Sequence, residues 1–265
     1  MAKLPLATGG FIEIPWQRLE YAYKPAPDKG DGTILVFLHE GLGCVDMWRD
    51  FPEQLAQQTA CGYFVYSRLG YGRSDPVALP RRPSFMHDEA VSTLPHMLAQ
   101  CGFSRYVLVG HSDGATIALL NAALAPAREL AGVAVMAPHV FVEPVTVSAI
   151  EQVASAYRET DLRARLARYH GERVDGAFWG WNQVWRDASF ANWNIETELE
   201  NVKVSVLLVQ GQDDTYGTMA QLDCIESRVC GSVRRAELQA CGHSPFRDQL
   251  EQTLELLAGF VRALD

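Results

Sequence analysis

The amino-acid sequence predicts an α/β protein: a mostly parallel central sheet flanked by helices, with an inserted helical lid. Three observations carry that expectation. Short runs of β-branched and aromatic residues alternate with stretches of helical periodicity, as strand–helix–strand units require. Several central runs are apolar at every position, among them Ile34-Leu35-Val36-Phe37-Leu38 and Val206-Leu207-Leu208-Val209. A strand covered by helices on both faces has no side chain that meets water, so the polar–apolar alternation disappears. The rhythm then stops after Ala137 and resumes only near Lys203, which leaves room for an insertion.

Taken in order, the runs at 11–14 and 19–23 flank Pro15 and read as an antiparallel lead-in hairpin. Strands follow at 33–39, 63–67, 106–110, 133–137, 204–210 and 232–238. Helices are expected at 46–59, 85–100, 112–124, 218–229 and 245–264, joined to the strands by the short connections usual in such units. Within the long gap, 151–169 has helical periodicity, with Val153, Ala156, Tyr157, Leu162, Leu166 and Tyr169 recurring among arginines and glutamates. The arginines at 158, 163, 165 and 168 read as its solvated face. An aromatic cluster follows: Phe178, Trp179, Trp181, Trp185, Phe190 and Trp193. A short insertion cannot hide all these rings in a core of its own, so at least two are expected at an apolar ligand pocket. The division expected is a core of residues 1–139 and 201–265 with a helical lid over 140–200.

Composition excludes several classes. Of 265 residues, 48% are hydrophobic and 21% charged, which is ordinary for a globular chain and argues against disorder. The longest unbroken apolar run, 34–38, is far short of the roughly 20 residues a membrane span needs. With 23 Lys and Arg against 32 Asp and Glu, the net charge of −9 opposes nucleic acid or an anionic membrane as partner. Residues 1–10 hold one lysine and no apolar signal core, so a cytoplasmic location is expected. The cysteines at 44, 61, 101, 224, 230 and 241 form no Cys-x-x-Cys pair and read as reduced thiols, not as a metal site. Metal and cofactor are both expected to be absent, and a homo-oligomer is left open.

The strongest local signal is Val107-Leu108-Val109-Gly110-His111-Ser112-Asp113-Gly114, a Gly-x-Ser-x-Gly between a strand and a helix. A serine on so tight a turn needs neighbours without a Cβ, and the helix behind it aims free N–H groups at the same place. A serine hydroxyl is a poor nucleophile near neutrality and needs a base that is itself oriented by a third group. His243, in Cys241-Gly242-His243-Ser244-Pro245, follows the last expected strand and is the candidate base. Gln210-Gly211-Gln212-Asp213-Asp214 ends another strand and offers a carboxylate at the same sheet edge.

These features together resemble the α/β-hydrolase fold superfamily over essentially the whole length, and the chain is similar to its serine esterases and lactonases with a helical lid. The order Ser112, Asp214, His243 matches the family's triad order. His39-Glu40-Gly41-Leu42-Gly43 resembles the family's His-Gly-x-x-Gly, and Ser67-Arg68-Leu69-Gly70-Tyr71-Gly72-Arg73-Ser74 resembles its Asp-x-Arg-Gly-x-Gly-x-Ser loop. The resemblance implies Asp214 as the acid, with Asp213 in reserve, and an oxyanion hole formed by the N–H groups of Gly41 and Asp113. Two positions depart from the pattern. Glu40 replaces glycine and puts a carboxylate beside the oxyanion loop; Ser67 replaces aspartate, a change expected to be structurally tolerated. Asp113 also resembles the Ser-Asp-Gly elbow of valacyclovir-hydrolase-like members, whose carboxylate could attract a cationic substrate group. The alternative, that its side chain caps the following helix, is preferred.

The function expected is cofactor-free hydrolysis of an ester-type bond in a small substrate with an apolar or aromatic part. The bond is a carboxylic ester, lactone or thioester. Glu40, His139 and the tryptophans at 179, 181, 185 and 193 are the candidate pocket residues. A C–C hydrolase of ring-cleavage products is a lesser alternative, because such enzymes typically carry an aromatic after the histidine and this chain has Ser244-Pro245. A haloalkane dehalogenase would need an aspartate where Ser112 stands. A non-catalytic small-molecule receptor that kept the fold is a third reading.

Overall fold

The computed structural model describes residues 6–27 and 32–264. Residues 1–5 of the stretch read for a signal lie outside the described residues. Eight strands form one sheet: β1 (Gly9–Ile14), β2 (Gln17–Lys24), β3 (Ile34–Leu38), β4 (Gly62–Tyr66), β5 (Tyr106–His111), β6 (Leu130–Met136), β7 (Ser205–Gly211) and β8 (Val233–Leu238). Their spatial order is β1-β2-β4-β3-β5-β6-β7-β8. The lead-in hairpin pairs antiparallel, with Ile14 opposite Gln17 across a turn at Pro15 and Trp16, and β2 also runs antiparallel to β4. From β4 to β8 every pairing is parallel, so β3, β5, β6 and β7 all end at one edge of the sheet.

The sheet has a covered layer on each face. Ile34, Val36 and Leu38 of β3 join one core with α2 (Leu94–Cys101), α3 (Asp113–Leu124) and the insertion. Leu35 and Phe37 join the other, against α1 (Phe51–Thr59) and α8 (Leu250–Arg262). This period-two sorting of an all-apolar run is the physical content of a doubly covered strand.

Between β6 and β7 the chain forms α4 (Pro144–Glu159), α5 (Leu162–His170) and α6 (Val174–Trp185). The single helix expected at 151–169 is therefore two helices, split where Thr160 is extended at φ −123°, and the first begins earlier, with Pro144 in its opening turn. The aromatic cluster, read without secondary structure, overlaps α6; glycines 176 and 180 and its bulky rings lower local helix propensity, but burial of Phe178, Trp181 and Trp185 outweighs it. Helix α7 (Ala220–Arg228) follows β7.

Other boundaries shift for local reasons. The expected helix 46–59 opens as a 3₁₀ turn, Val45–Trp48, before Arg49 adopts φ 54° and α1 begins. The expected helix 245–264 divides at Gln249, where φ is −135°. Residues 85–101 form one helical run that includes a π-helical turn, Glu89–Thr93, and ends at Gly102 in the left-handed region. Among the described residues no helix is long and apolar enough to cross a membrane.

Candidate active site

The site forms where β3, β5, β6 and β7 end. Ser112 sits directly after β5 at φ 52°, ψ −119°, an unfavourable region for a side-chain-bearing residue. Its flanking glycines explain how the turn is tolerated. A Cβ on Gly114 would lie 2.0 Å from the Leu38 carbonyl oxygen, and one on Gly110 would lie 2.4 Å from the Gly114 oxygen. Ser112 donates its N–H to the Met136 carbonyl at 2.9 Å, and its own carbonyl accepts from Ala115 and Thr116 at the start of α3. The hydroxyl is thus held over the strand ends at a helix N-terminus.

His243 lies in the loop between β8 and the turn Pro245–Asp248. Its Nε2 is 2.9 Å from Ser112 Oγ, and its Nδ1 is 2.9 Å from both carboxylate oxygens of Asp214. A carboxylate only accepts, so Nδ1 carries the proton, and Nε2 is left to accept from the serine hydroxyl. Asp214 also accepts the Tyr216 N–H at 2.8 Å. Burial raises the Asp214 pKa, but the His243 contact and the Tyr216 N–H outweigh it and leave the group below the usual carboxylate value. Asp213 is exposed, and its N–H donates to the Cys241 carbonyl at 2.9 Å, joining the two loops.

A cavity of about 180 Å³ opens on this arrangement. Gly41, Ser112, Asp113 and His243 line it together with the bulkier Ile150, Trp181, Trp185 and Tyr216. Gly41 has no alternative here: a Cβ would fall 2.1 Å from Trp181 Nε1. The loop at Glu40 and Gly41 is braced by His39, whose Nδ1 donates to the Glu40 carbonyl at 2.6 Å while Nε2 accepts the Arg68 N–H at 3.0 Å. Burial and the Arg68 charge hold His39 well below its usual pKa, consistent with that neutral pattern.

Of the other pocket candidates, Glu40 and His139 line the cavity. The His139 ring lies 5.6 Å from His243 and 5.3 Å from Trp185, and burial with the neighbouring His243 pushes its pKa down to about 3. Trp179 and Trp193 are corrections. Trp179 packs on Phe178 and Tyr157 with Arg158 above it, and Trp193 stacks on Phe190, so neither ring lines this cavity.

Asp113 is also a correction. Its side chain makes no capping bond to α3; it accepts from Trp185 Nε1 at 3.2 Å and faces Arg68 Nη2 at 3.6 Å. Both ion partners are buried, so the carboxylate already has a cationic neighbour within the protein. Burial raises the Asp113 pKa against the opposing pull of Arg68 and Trp185. At the other departure, Ser67 Oγ accepts the Val45 N–H and donates to Glu20, both at 2.9 Å, so Glu20 supplies the carboxylate on that loop.

Sequence reasoning missed Tyr216, whose ring packs 4.6 Å from His243, and Ile150, one residue before the expected helix. Tyr216 sits two residues after Asp214, and that proximity was the available signal.

A model of the alpha/beta hydrolase family matches residues 35–256. The chain belongs to that family. Its solved relatives in shape include an esterase from Exiguobacterium antarcticum, with a TM-score of 0.74 and 19% identity over 96% of this chain and 99% of that one. An enol-lactonase from Burkholderia xenovorans LB400 also superposes at TM-score 0.74, with 16% identity over 96% of this chain and all of the other. In sequence, this hydrolase is 33% identical over 98 residues to the sn-1-specific diacylglycerol lipase ABHD11 of Danio rerio, covering 37% of this chain and 29% of that protein. It is 29% identical over 108 residues to the human (Lyso)-N-acylphosphatidylethanolamine lipase, covering 41% and 31%. The matched stretches therefore span less than a third of either curated relative.

Proposed function

We propose that the hydrolase cleaves an ester-type bond, in a carboxylic ester, lactone or thioester, through a covalent acyl-serine. The observation that carries this reading is the unbroken hydrogen-bond path from Ser112 Oγ through His243 to Asp214. Ser112 attacks the carbonyl carbon as His243 Nε2 takes its proton, and Asp214 fixes the imidazole and stabilises the charge it gains. The N–H groups of Gly41 and Asp113 serve the developing oxyanion, a contribution worth about 3–4 kcal/mol per donor in comparable sites. His243 then returns the proton to the leaving oxygen or sulfur. Water, deprotonated by the same nitrogen, attacks the acyl carbon, and the Ser112 oxygen departs with the proton that His243 gives back.

Residues 140–200 act as the lid in this reading, with Trp181 and Trp185 excluding water from the reacting carbonyl. The cavity is smaller than the roughly 300–1,000 Å³ typical of drug-sized ligands, which favours a compact apolar acyl or aryl group. The lipase, esterase and lactonase activities named for the relatives support the bond type. The C–C hydrolase reading lacks the aromatic after the histidine, and the receptor reading leaves the aligned serine–imidazole bond without a purpose.

The test is turnover of a panel of p-nitrophenyl acyl esters, lactones and acyl-CoA thioesters by the wild type and Ser112→Ala. We expect Ser112→Ala to fold normally and to lose on the order of 10⁴-fold or more in kcat, because a triad fails as a unit. Normal turnover by the variant would remove Ser112 from the chemistry.

A further inference from the structure

Glu40 stands where the resembled family carries glycine, so a carboxylate adjoins the candidate oxyanion loop. An unpaired charge in a half-enclosed apolar cavity is costly. Two basic side chains stand beside this one. Its Oε2 lies 3.5 Å from His111 Nδ1, and its Oε1 lies 3.5 Å from Arg247 Nη2. The three groups come from separate parts of the chain: Glu40 follows β3, His111 ends β5 directly before Ser112, and Arg247 lies in the turn after His243.

The second nitrogen of His111 completes the path. Its Nε2 is 2.7 Å from the main-chain carbonyl of His243. A carbonyl only accepts, so this nitrogen carries a proton; Nδ1 makes no hydrogen bond and faces the Glu40 carboxylate, whose attraction is engaged when His111 carries its second proton. The ring is 1% exposed and packed edge-on to Phe246 at 5.3 Å, with the His243 ring 5.2 Å away. From Arg247 through Glu40 and His111 to the backbone of His243, the contacts form one strut behind the imidazole.

We infer that Glu40 is a positioning residue: acting through His111, it fixes the main chain of His243 and hence the bond from His243 Nε2 to Ser112. This rests on the reading of Ser112 as nucleophile and His243 as base. Glycine at position 40 would remove the carboxylate that faces Nδ1 and leave the His111 ring its bond to the His243 carbonyl, which would then lose its donor in part of the population. Displacements below an ångström at a base are enough to slow proton transfer, because the reacting geometry is held within narrow limits. The carboxylate does this work without touching the substrate.

A fluorophosphonate tests the inference without knowledge of the natural substrate. Ser112 Oγ forms a bond to phosphorus, fluoride leaves, and His243 takes the hydroxyl proton, so the labelling rate reads the serine–imidazole pair directly. The rate is measured per folded molecule, with circular dichroism and thermal melting as controls. Relative to wild type, Glu40→Gly is expected to label about 10–100-fold more slowly, the scale of loss that a misplaced catalytic group produces. Glu40→Gln, close in volume and able to accept one of the two contacts, should recover part of that rate. Arg247→Ala removes only the half-exposed end of the strut and should slow labelling a few-fold, which keeps a measurement available if Glu40→Gly does not fold.

Steady-state kinetics on p-nitrophenyl butyrate should show the same order in kcat, with KM nearly unchanged. Unaltered labelling by Glu40→Gly and Glu40→Gln, with a changed KM, would overturn the inference and make Glu40 a substrate-binding group. A wild type that is not labelled at Ser112 would instead overturn the serine-hydrolase reading, and this inference with it.

Discussion

Asp213 and Asp214 are adjacent in sequence and opposite in circumstance. One is exposed; the other has a side chain only 1% exposed, and both of its oxygens lie 2.9 Å from His243 Nδ1. Asp214→Asn would keep the shape but place an amide where the imidazole needs a pure acceptor. It should lower kcat by about 10³–10⁴-fold, while Asp213→Asn should stay within about twofold. Equal losses from the two substitutions, measured on one ester, would count against the assignment. These residues are legible because their motifs encode local geometry: Gly-x-Ser-x-Gly demands its turn, and the acid and base follow strand ends. The surroundings of Asp113 are not legible in the same way. Its partners Arg68 and Trp185 arrive from a distant loop and from the insertion, and no local spacing announces a buried ion pair.

At the scale of elements, the parallel strands are legible because their apolar runs have no polar alternative, whereas the insertion is only half legible. Its first helix shows a period, but Val174–Trp185 is concealed by two glycines and four large rings. Which rings face the cavity depends on how that helix rolls against α4 and α5, and tertiary packing alone decides this. Trp181 lines the cavity and Trp179, two positions earlier, packs on Tyr157 and Phe178 instead. Trp181→Ala is therefore expected to raise KM on an aromatic or medium-chain ester several-fold more than it lowers kcat, since its contact exists in ground and transition states alike. Trp179→Ala and Trp193→Ala should leave both constants nearly unchanged. A KM that responds equally to all three variants would place the pocket elsewhere. Trp185→Ala is a separate case, because it also removes the donor to Asp113 Oδ1 and should cost about 1–3 kcal/mol of stability by leaving a buried acceptor unpaired.

For the whole molecule, the buried histidines set a pH dependence that no single loop would reveal. His39 braces the loop at Glu40 and Gly41, His139 adjoins the cavity after β6, and His170, at the end of α5, accepts the Gly72 N–H at 3.0 Å. Burial lowers the pKa of all three, to about 3 for His139. Each is therefore neutral when folded at a pH where the unfolded chain would bind a proton, so stability is full above the usual 6.5 and falls as pH drops below it. At pH 5 the His139 shift alone amounts to about 2 kcal/mol, a sizeable part of the roughly 5–15 kcal/mol that holds a domain together. Asp113 and Glu89 act in the opposite sense, because burial raises their pKa values and protonation favours the folded state. Their contribution grows as pH falls from the raised folded values toward the unfolded ones near 4, and so offsets part of the loss from the histidines. Urea unfolding at pH 7.5 and pH 5.0 should show a clear loss for the wild type. His139→Asn, which carries no titrating ring, should be less stable at pH 7.5 yet lose about 2 kcal/mol less between the two conditions. If the variant loses as much as the wild type, His139 titrates alike in the folded and unfolded chain, and the acid sensitivity belongs to other groups.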